Sequence, residues 1–270
     1  MIAKRSQPRT YLITASSGIG AEVARTLVRE AANPKSVRLF LVGREESQCA
    51  ALADELRSLN ARVEYRAGDL TDPDFAPAAV RSCVSSFERL DALFNVAGIS
   101  GRRFGDGPVH ECTEEGWSRV LNTNLTTQYR MCRETVRLML SQPPAANGQR
   151  GVILNMASIL ALSPEPRHFD TVAYAASKGG IIAMSRAMAA CYAKHKIRVN
   201  AIAPALVRTP MSARASEDAE IIEFMKSKQP LLEGVIPVQD VAASCVYLLT
   251  DSSRAVTGQV LAVDAGWSLS

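Results

Sequence analysis

A chain of 270 residues, 47% hydrophobic and 21% charged, is long enough for one large α/β domain that buries roughly three quarters of its unfolded surface, and too apolar to be disordered. Its net charge of +4, from 31 Lys and Arg against 27 Asp and Glu, is spread without a basic block, which speaks against a nucleic-acid surface. No apolar run approaches the roughly 18 residues of a membrane span, and the six dispersed cysteines and three histidines form neither a Cys-x-x-Cys pair nor a metal cluster, so neither membrane nor metal is expected.

Residues 1–9 read as a basic, flexible extension without a signal-peptide pattern, and residues 10–270 as a single domain. Short β-branched runs then alternate with stretches of helical period, the pattern of stacked βαβ units and a mostly parallel sheet. Strands are expected near residues 11–14, 37–42, 63–67, 92–96, 152–156, 199–203 and 260–263. Val23, Leu27 and Ala31, and then Leu52 and Leu56, recur every four residues and mark the packing faces of the first two helices. A long helix is expected over residues 117–140, stopped by Pro143 and Pro144, and another over residues 173–194. Three loops, residues 101–112, 159–172 and 205–234, each follow a strand's C-terminal end, where open parallel sheets bind ligands. The cysteines read as reduced thiols and point to the cytoplasm.

The first strand runs through Thr14, Ser16, Ser17, Gly18, Ile19 and Gly20 into a helix. Free N–H groups and the positive dipole end at such a helix start form a cradle for a pyrophosphate. After the second strand, Gly43 stands where an acid would bond an adenosine ribose hydroxyl, and Arg44 offers a forked cation suited to a 2′-phosphate. This favours NADP(H) over NAD(H), although Glu45 and Glu46 follow directly. Tyr174 and Lys178 lie four apart on one helix face, so an ammonium can stand beside a phenol and lower its pKa toward the working pH of a catalytic acid.

Together these segments resemble the short-chain dehydrogenase/reductase family, in its single-domain members of about this length. The resemblance spans Gly18-Ile19-Gly20, Asp69-Leu70, Asn95-Val96-Ala97-Gly98, Asn124, Ser158, Tyr174 with Lys178, and the segment from Pro204 to Thr209. It implies a doubly wound Rossmann fold with a seven-stranded, mostly parallel sheet, and hydride transfer between a nicotinamide and a secondary alcohol or ketone. It implies Tyr174 as general acid/base, Lys178 as its modulator and ribose ligand, Ser158 as the group holding the substrate oxygen, and Asn124 as holder of a relay water. By the same resemblance Asp69 and Leu70 meet the adenine, Asn95, Ala97 and Gly98 line the ribose, and Pro204, Val207 and Thr209 meet the carboxamide. A homo-oligomer, dimer or tetramer, is implied through the two long helices. An NAD(H)-dependent sugar or polyol dehydrogenase and a non-catalytic dinucleotide-binding module are the alternative readings.

Departures from the family pattern stand out. The first of three glycines is missing, so that Thr14 either replaces it or marks a turn one residue short. Val96 and Ala205 replace a usual Asn and Gly. Fifteen residues separate Ser158 from Tyr174, and within them His168 and Phe169 are candidate substrate contacts, as are Arg102 and Arg103 for an anionic substrate.

Overall fold

The computed structural model describes residues 8–270. Seven strands, β1 (Arg9–Ile13), β2 (Val37–Gly43), β3 (Arg62–Ala67), β4 (Ala92–Asn95), β5 (Gly151–Met156), β6 (Ile197–Pro204) and β7 (Val260–Val263), form one sheet in the order β3-β2-β1-β4-β5-β6-β7. Every strand pair is parallel. Arg9 already belongs to β1, so the expected extension lies almost wholly outside the described residues.

The sheet is buried on both faces, which is why its central strands read as continuous apolar runs. Alternation along each strand divides the core. Tyr11, Ile13, Leu39, Leu41 and Leu154 pack with α1 (Gly18–Arg29), α2 (Glu46–Ser58) and α9 (Val238–Leu249) on one face. On the other, Leu12, Phe40, Leu93 and Ile153 meet α3 (Phe75–Phe87), α5 (Thr127–Ser141) and α6 (Val172–Tyr192). The strand order reverses between β1 and β4, which opens a crevice at their C-terminal ends.

The helix expected over residues 117–140 is interrupted. α4 (Glu114–Val120) passes into a π-helical turn, Leu121–Thr126, before α5 continues. Inside that turn Asn124 is fully buried, its Oδ1 accepting from the Ile99 amide at 2.8 Å and its Nδ2 donating to the Ile99 carbonyl at 3.0 Å and to Ser177 Oγ at 3.2 Å. A polar side chain with three tertiary partners widens the helix locally, as such turns at functional sites commonly do. Two short helices, α7 (Ala213–Glu217) and α8 (Ala219–Lys228), cover the end of β6, where Ile221 and Met225 join a satellite core around Trp267. Among the described residues no helix is long and apolar enough to cross a membrane.

Candidate active site

Thr14, where the glycine turn departs from the family pattern, has a role of its own. It is 2% exposed, and its hydroxyl accepts from the amides of Val96 at 3.0 Å and Ala97 at 3.3 Å, tying the end of β1 to the segment after β4. The hydroxyl is therefore a strap between β1 and the segment after β4. Thr14→Val, which keeps the shape but leaves those amides unpaired, is expected to cost about 2 kcal/mol of unfolding free energy. Denaturant titration checks this, and an unchanged midpoint would contradict the strap.

A Cβ added at Gly43 would lie 2.6 Å from Ser16 Oγ and 2.7 Å from Cys49 Sγ, so a side chain there requires Ser16 and Cys49 to turn away. Arg44 beside it is largely exposed and donates to Glu45 at 3.1 Å. Its charge also reaches Asp69, whose carboxyl sits below the usual carboxylate range chiefly because it accepts from the Thr71 amide, at 2.8 Å, and the Thr71 hydroxyl. Asp69 is thus fixed in its own turn, with Leu70 half-buried beside it.

The residues present suit a dinucleotide. Ser17, the N-cap of α1, makes no side-chain cap, and the amides of Gly18, Ile19 and Gly20 have no partner among the described residues. Three unpaired amides at a helix start form an anion cradle. Across the crevice, Pro204 ends β6, and the Val207 amide is likewise without a partner among the described residues, as a donor to a carboxamide must be. Thr209 stands next to Gly18, 3.6 Å from the position of an added Cβ. The Asn95 side chain, in contrast, turns away. It is fully buried and donates to Asn155 Oδ1 at 2.9 Å and Cys132 Sγ at 3.2 Å, so only the backbone through Ala97 and Gly98 can face a ribose.

Gly98 joins this binding half to the reacting half, since a Cβ there would meet Asn124 Oδ1 at 3.0 Å and Lys178 Nζ at 3.7 Å. Ser158, 6% exposed at the end of β5, accepts from the Leu160 amide at 3.2 Å and lies close enough to the Tyr174 phenol to lower its pKa. Lys178 Nζ lies 5.5 Å from the centre of the Tyr174 ring and donates to the Met156 carbonyl at 2.8 Å. The expected electrostatic lowering of Tyr174 by Lys178 is not what the chain alone produces. Burial raises the phenol and only the neighbouring Ser158 lowers it, while burial also brings Lys178 down to about 7. A lysine whose charged form burial disfavours, and which is turned to a backbone carbonyl, does little to ionise its neighbour.

Other expected contacts are engaged elsewhere. Arg102 donates to the His168 carbonyl at 2.6 Å and to Asp170 at 3.0 Å and so is not a free anion receptor, whereas Arg103 lies exposed over the Phe104 ring. The His168 ring packs 5.0 Å from that of Phe224, and Phe169 packs 5.6 Å from Trp267, whose indole N–H donates to the Ser163 carbonyl. The long segment between Ser158 and Tyr174 is thereby pinned to α8 and the C-terminal turn. Phe169 also walls a mainly apolar cavity of about 270 Å³ with Leu160, Pro164, Pro166, Val172 and Ala175. Asp106, which the sequence reading passed over, accepts from the amides of Ala173 and Tyr174; a bond across 68 residues has no local signal.

A parallel sheet with an anion-binding turn at its switch point, and a paired Ser and Tyr beside a buried Lys, defines a dinucleotide-binding oxidoreductase. Residues 13–268 match the family model described as enoyl-(acyl carrier protein) reductase. The chain is 31% identical over 259 residues to 3-oxoacyl-[acyl-carrier-protein] reductase FabG of Chlamydia trachomatis, with 96% of each chain covered. It is 34% identical over 267 residues to A-factor type gamma-butyrolactone 1'-reductase of Streptomyces virginiae, covering 97% of this chain and 96% of that one. The crystal structure of an actinorhodin polyketide ketoreductase variant with NADPH superposes with a TM-score of 0.83 at 29% identity, covering 97% and 98% of the two chains. The chain belongs to the short-chain dehydrogenase/reductase family, and it is an oxidoreductase of the CH–OH/C=O class using NAD(P).

Proposed function

We propose that this enzyme interconverts a secondary alcohol and a ketone with a preference for NADP(H), Tyr174 serving as general acid in reduction and general base in oxidation. The observation that carries this reading is the juxtaposition of Ser158 with the buried Tyr174 phenol, Lys178 Nζ 5.5 Å from the same ring and Asn124 meeting Lys178 at Gly98. Ser158 would hold the carbonyl oxygen and stabilise its developing negative charge, while the phenol donates a proton to that oxygen. The nicotinamide, when bound, supplies or accepts the hydride at the carbonyl carbon. Lys178 and the Asn124 turn would return a proton to the phenol after each turnover.

A glycine in place of a carboxylate at position 43, with Arg44 adjoining it, supports the preference for a 2′-phosphate. The reductase activities of the two curated relatives, and NADPH in the ketoreductase structure, point the same way. Leu160 lies two residues beyond Ser158 and Ala175 follows Tyr174, so the apolar cavity they share suits the hydrophobic body of a ketone better than a sugar. We further infer a cytoplasmic homo-oligomer, dimer or tetramer, because Trp117, Tyr129 and Leu140 stand exposed on α4 and α5.

The test is oxidation of NADPH, with NADH in parallel, across 3-oxoacyl thioesters, cyclic ketones and sugars. Faster turnover with NADPH on apolar ketones is expected. Arg44→Ala should weaken NADPH binding about tenfold and leave NADH binding unchanged, as loss of one charge-assisted contact requires. Equal losses for both cofactors would refute the role of Arg44, and tight cofactor binding with no turnover on any class would favour the binding-module alternative.

A further inference from the structure

The helix carrying Tyr174 begins without a cap of its own. Thr171 occupies the N-cap position, yet its side chain makes no cap bond and instead donates to the Phe169 carbonyl at 3.4 Å. The missing acceptor comes from another loop. Asp106 Oδ1 accepts from the Ala173 amide and Oδ2 from the Tyr174 amide, both at 2.9 Å. These amides are the second and third of α6, the pair that an N-cap side chain ordinarily serves. A carboxylate is also the group that the helix dipole favours there.

Asp106 is 6% exposed, and its loop has little freedom. Its amide donates to the Gly101 carbonyl at 3.3 Å, and Gly107 accepts from the Val172 amide at 3.1 Å. Gly101 holds φ at +78°, and a Cβ there would stand 2.8 Å from Asp106 Oδ2, so the loop can approach only through a glycine. Arg102 clamps the same loop to His168 and Asp170. At its other end the loop departs from Ile99, whose amide and carbonyl hold Asn124. One short segment thus grips both Asn124 and the first turn of α6.

We propose that Asp106 is a positioning residue for Tyr174, capping its helix from outside and thereby setting the phenol against Ser158. The proposal rests on the reading of Tyr174 as the proton donor. A backbone shift at residue 174 moves the phenol directly, because the catalytic residue itself is one of the two capped positions. A merely structural anchor would cost stability, whereas a positioning residue costs turnover.

Asp106→Ala and Asp106→Asn are compared with wild type, Tyr174→Phe and the Tyr174→Phe/Asp106→Ala double variant, using NADPH and a ketone turned over in the panel above. Asp106→Ala is expected to lower kcat about 100-fold, the scale of an ångström misplacement. Asp106→Asn, which keeps one acceptor oxygen, should lose only about tenfold, and the KM for ketone and the Kd for NADPH should stay within about twofold. In the Tyr174→Phe background the loss from Asp106→Ala should vanish, as coupled residues require. Amide hydrogen exchange in the cofactor-free protein should quicken at residues 173 and 174 in both Asp106 variants.

Unchanged exchange there, a folded Asp106→Ala enzyme with wild-type kcat, or a loss that persists undiminished without the phenol would each overturn the proposal. Asp106→Asn carries the test should the alanine variant not fold. Full activity in Tyr174→Phe would instead overturn the reading of the site, a result distinguishable from all of these.

Discussion

Tyr174→Phe is expected to lower ketone reduction about 10³-fold, within the range that a positioned general acid contributes, while leaving NADPH affinity close to that of wild type. Removing one hydroxyl leaves the ring in its place beside Lys178, so the α1 cradle and the Val207 amide keep their geometry. Ser158 keeps the Leu160 amide as its donor, and the substrate oxygen meets a hydroxyl without an acid behind it. Because burial holds the phenol above its usual value, the wild-type enzyme keeps the protonated form needed for reduction across the neutral range, and oxidation should gain as pH rises. Steady-state rates in both directions against pH check this. A Tyr174→Phe enzyme that still turned over within about tenfold of wild type would remove the phenol from the proton path.

Lys178→Met should make the cofactor-free protein more stable at neutral pH. The ammonium is 2% exposed with one carbonyl partner, and burial lowers it from 10.5 to about 7. Below about 7 both the folded and unfolded chains carry the proton, so the full cost of burying it is present. Between about 7 and 10.5 the unfolded chain holds a proton that the folded chain has released, and stability rises with pH through that window. The cost at low pH is on the order of 4 kcal/mol, partly offset in the variant by the lost hydrogen bond to Met156. Thermal unfolding of Lys178→Met is therefore expected about 5 °C above wild type near neutral pH, with the gap closing toward about pH 10. A variant that melts lower at every pH would show that the Met156 contact outweighs desolvation. Together the two variants separate a residue kept for chemistry from one tolerated at a cost in stability.

The strands were legible to within a residue or two, because central strands buried on both faces are short apolar, β-branched runs, which length and composition separate from helices. The positions of Ser158, Tyr174 and Lys178 were equally legible, since helix spacing and a strand end place them without reference to anything distant. Asn124 was named, but the π-turn around it was not, because the turn is made by bonds to Ile99 and Ser177 that have no counterpart in the neighbouring sequence. Asn95 and Arg102 are the same lesson in reverse. Each is polar and adjacent to the site, yet each is consumed by a partner from a distant segment, Asn155 for one and the His168–Asp170 stretch for the other.

What the amino-acid sequence determined by itself was the set of local rules: alternating βαβ periods, a helix start rich in free amides, a phenol and an ammonium on one helix face. These are short-range consequences of backbone geometry and side-chain type, and they carry both the fold class and the chemistry. Tertiary structure alone decided that the Thr14 hydroxyl is a strap, which way Asn95 turns, and that burial sets the titration of Tyr174 and Lys178 more strongly than their mutual spacing. It also decided that the catalytic helix takes its cap from Asp106, because desolvation and hydrogen-bond satisfaction depend on what the folded chain brings within about 3 Å, whatever its distance along the sequence.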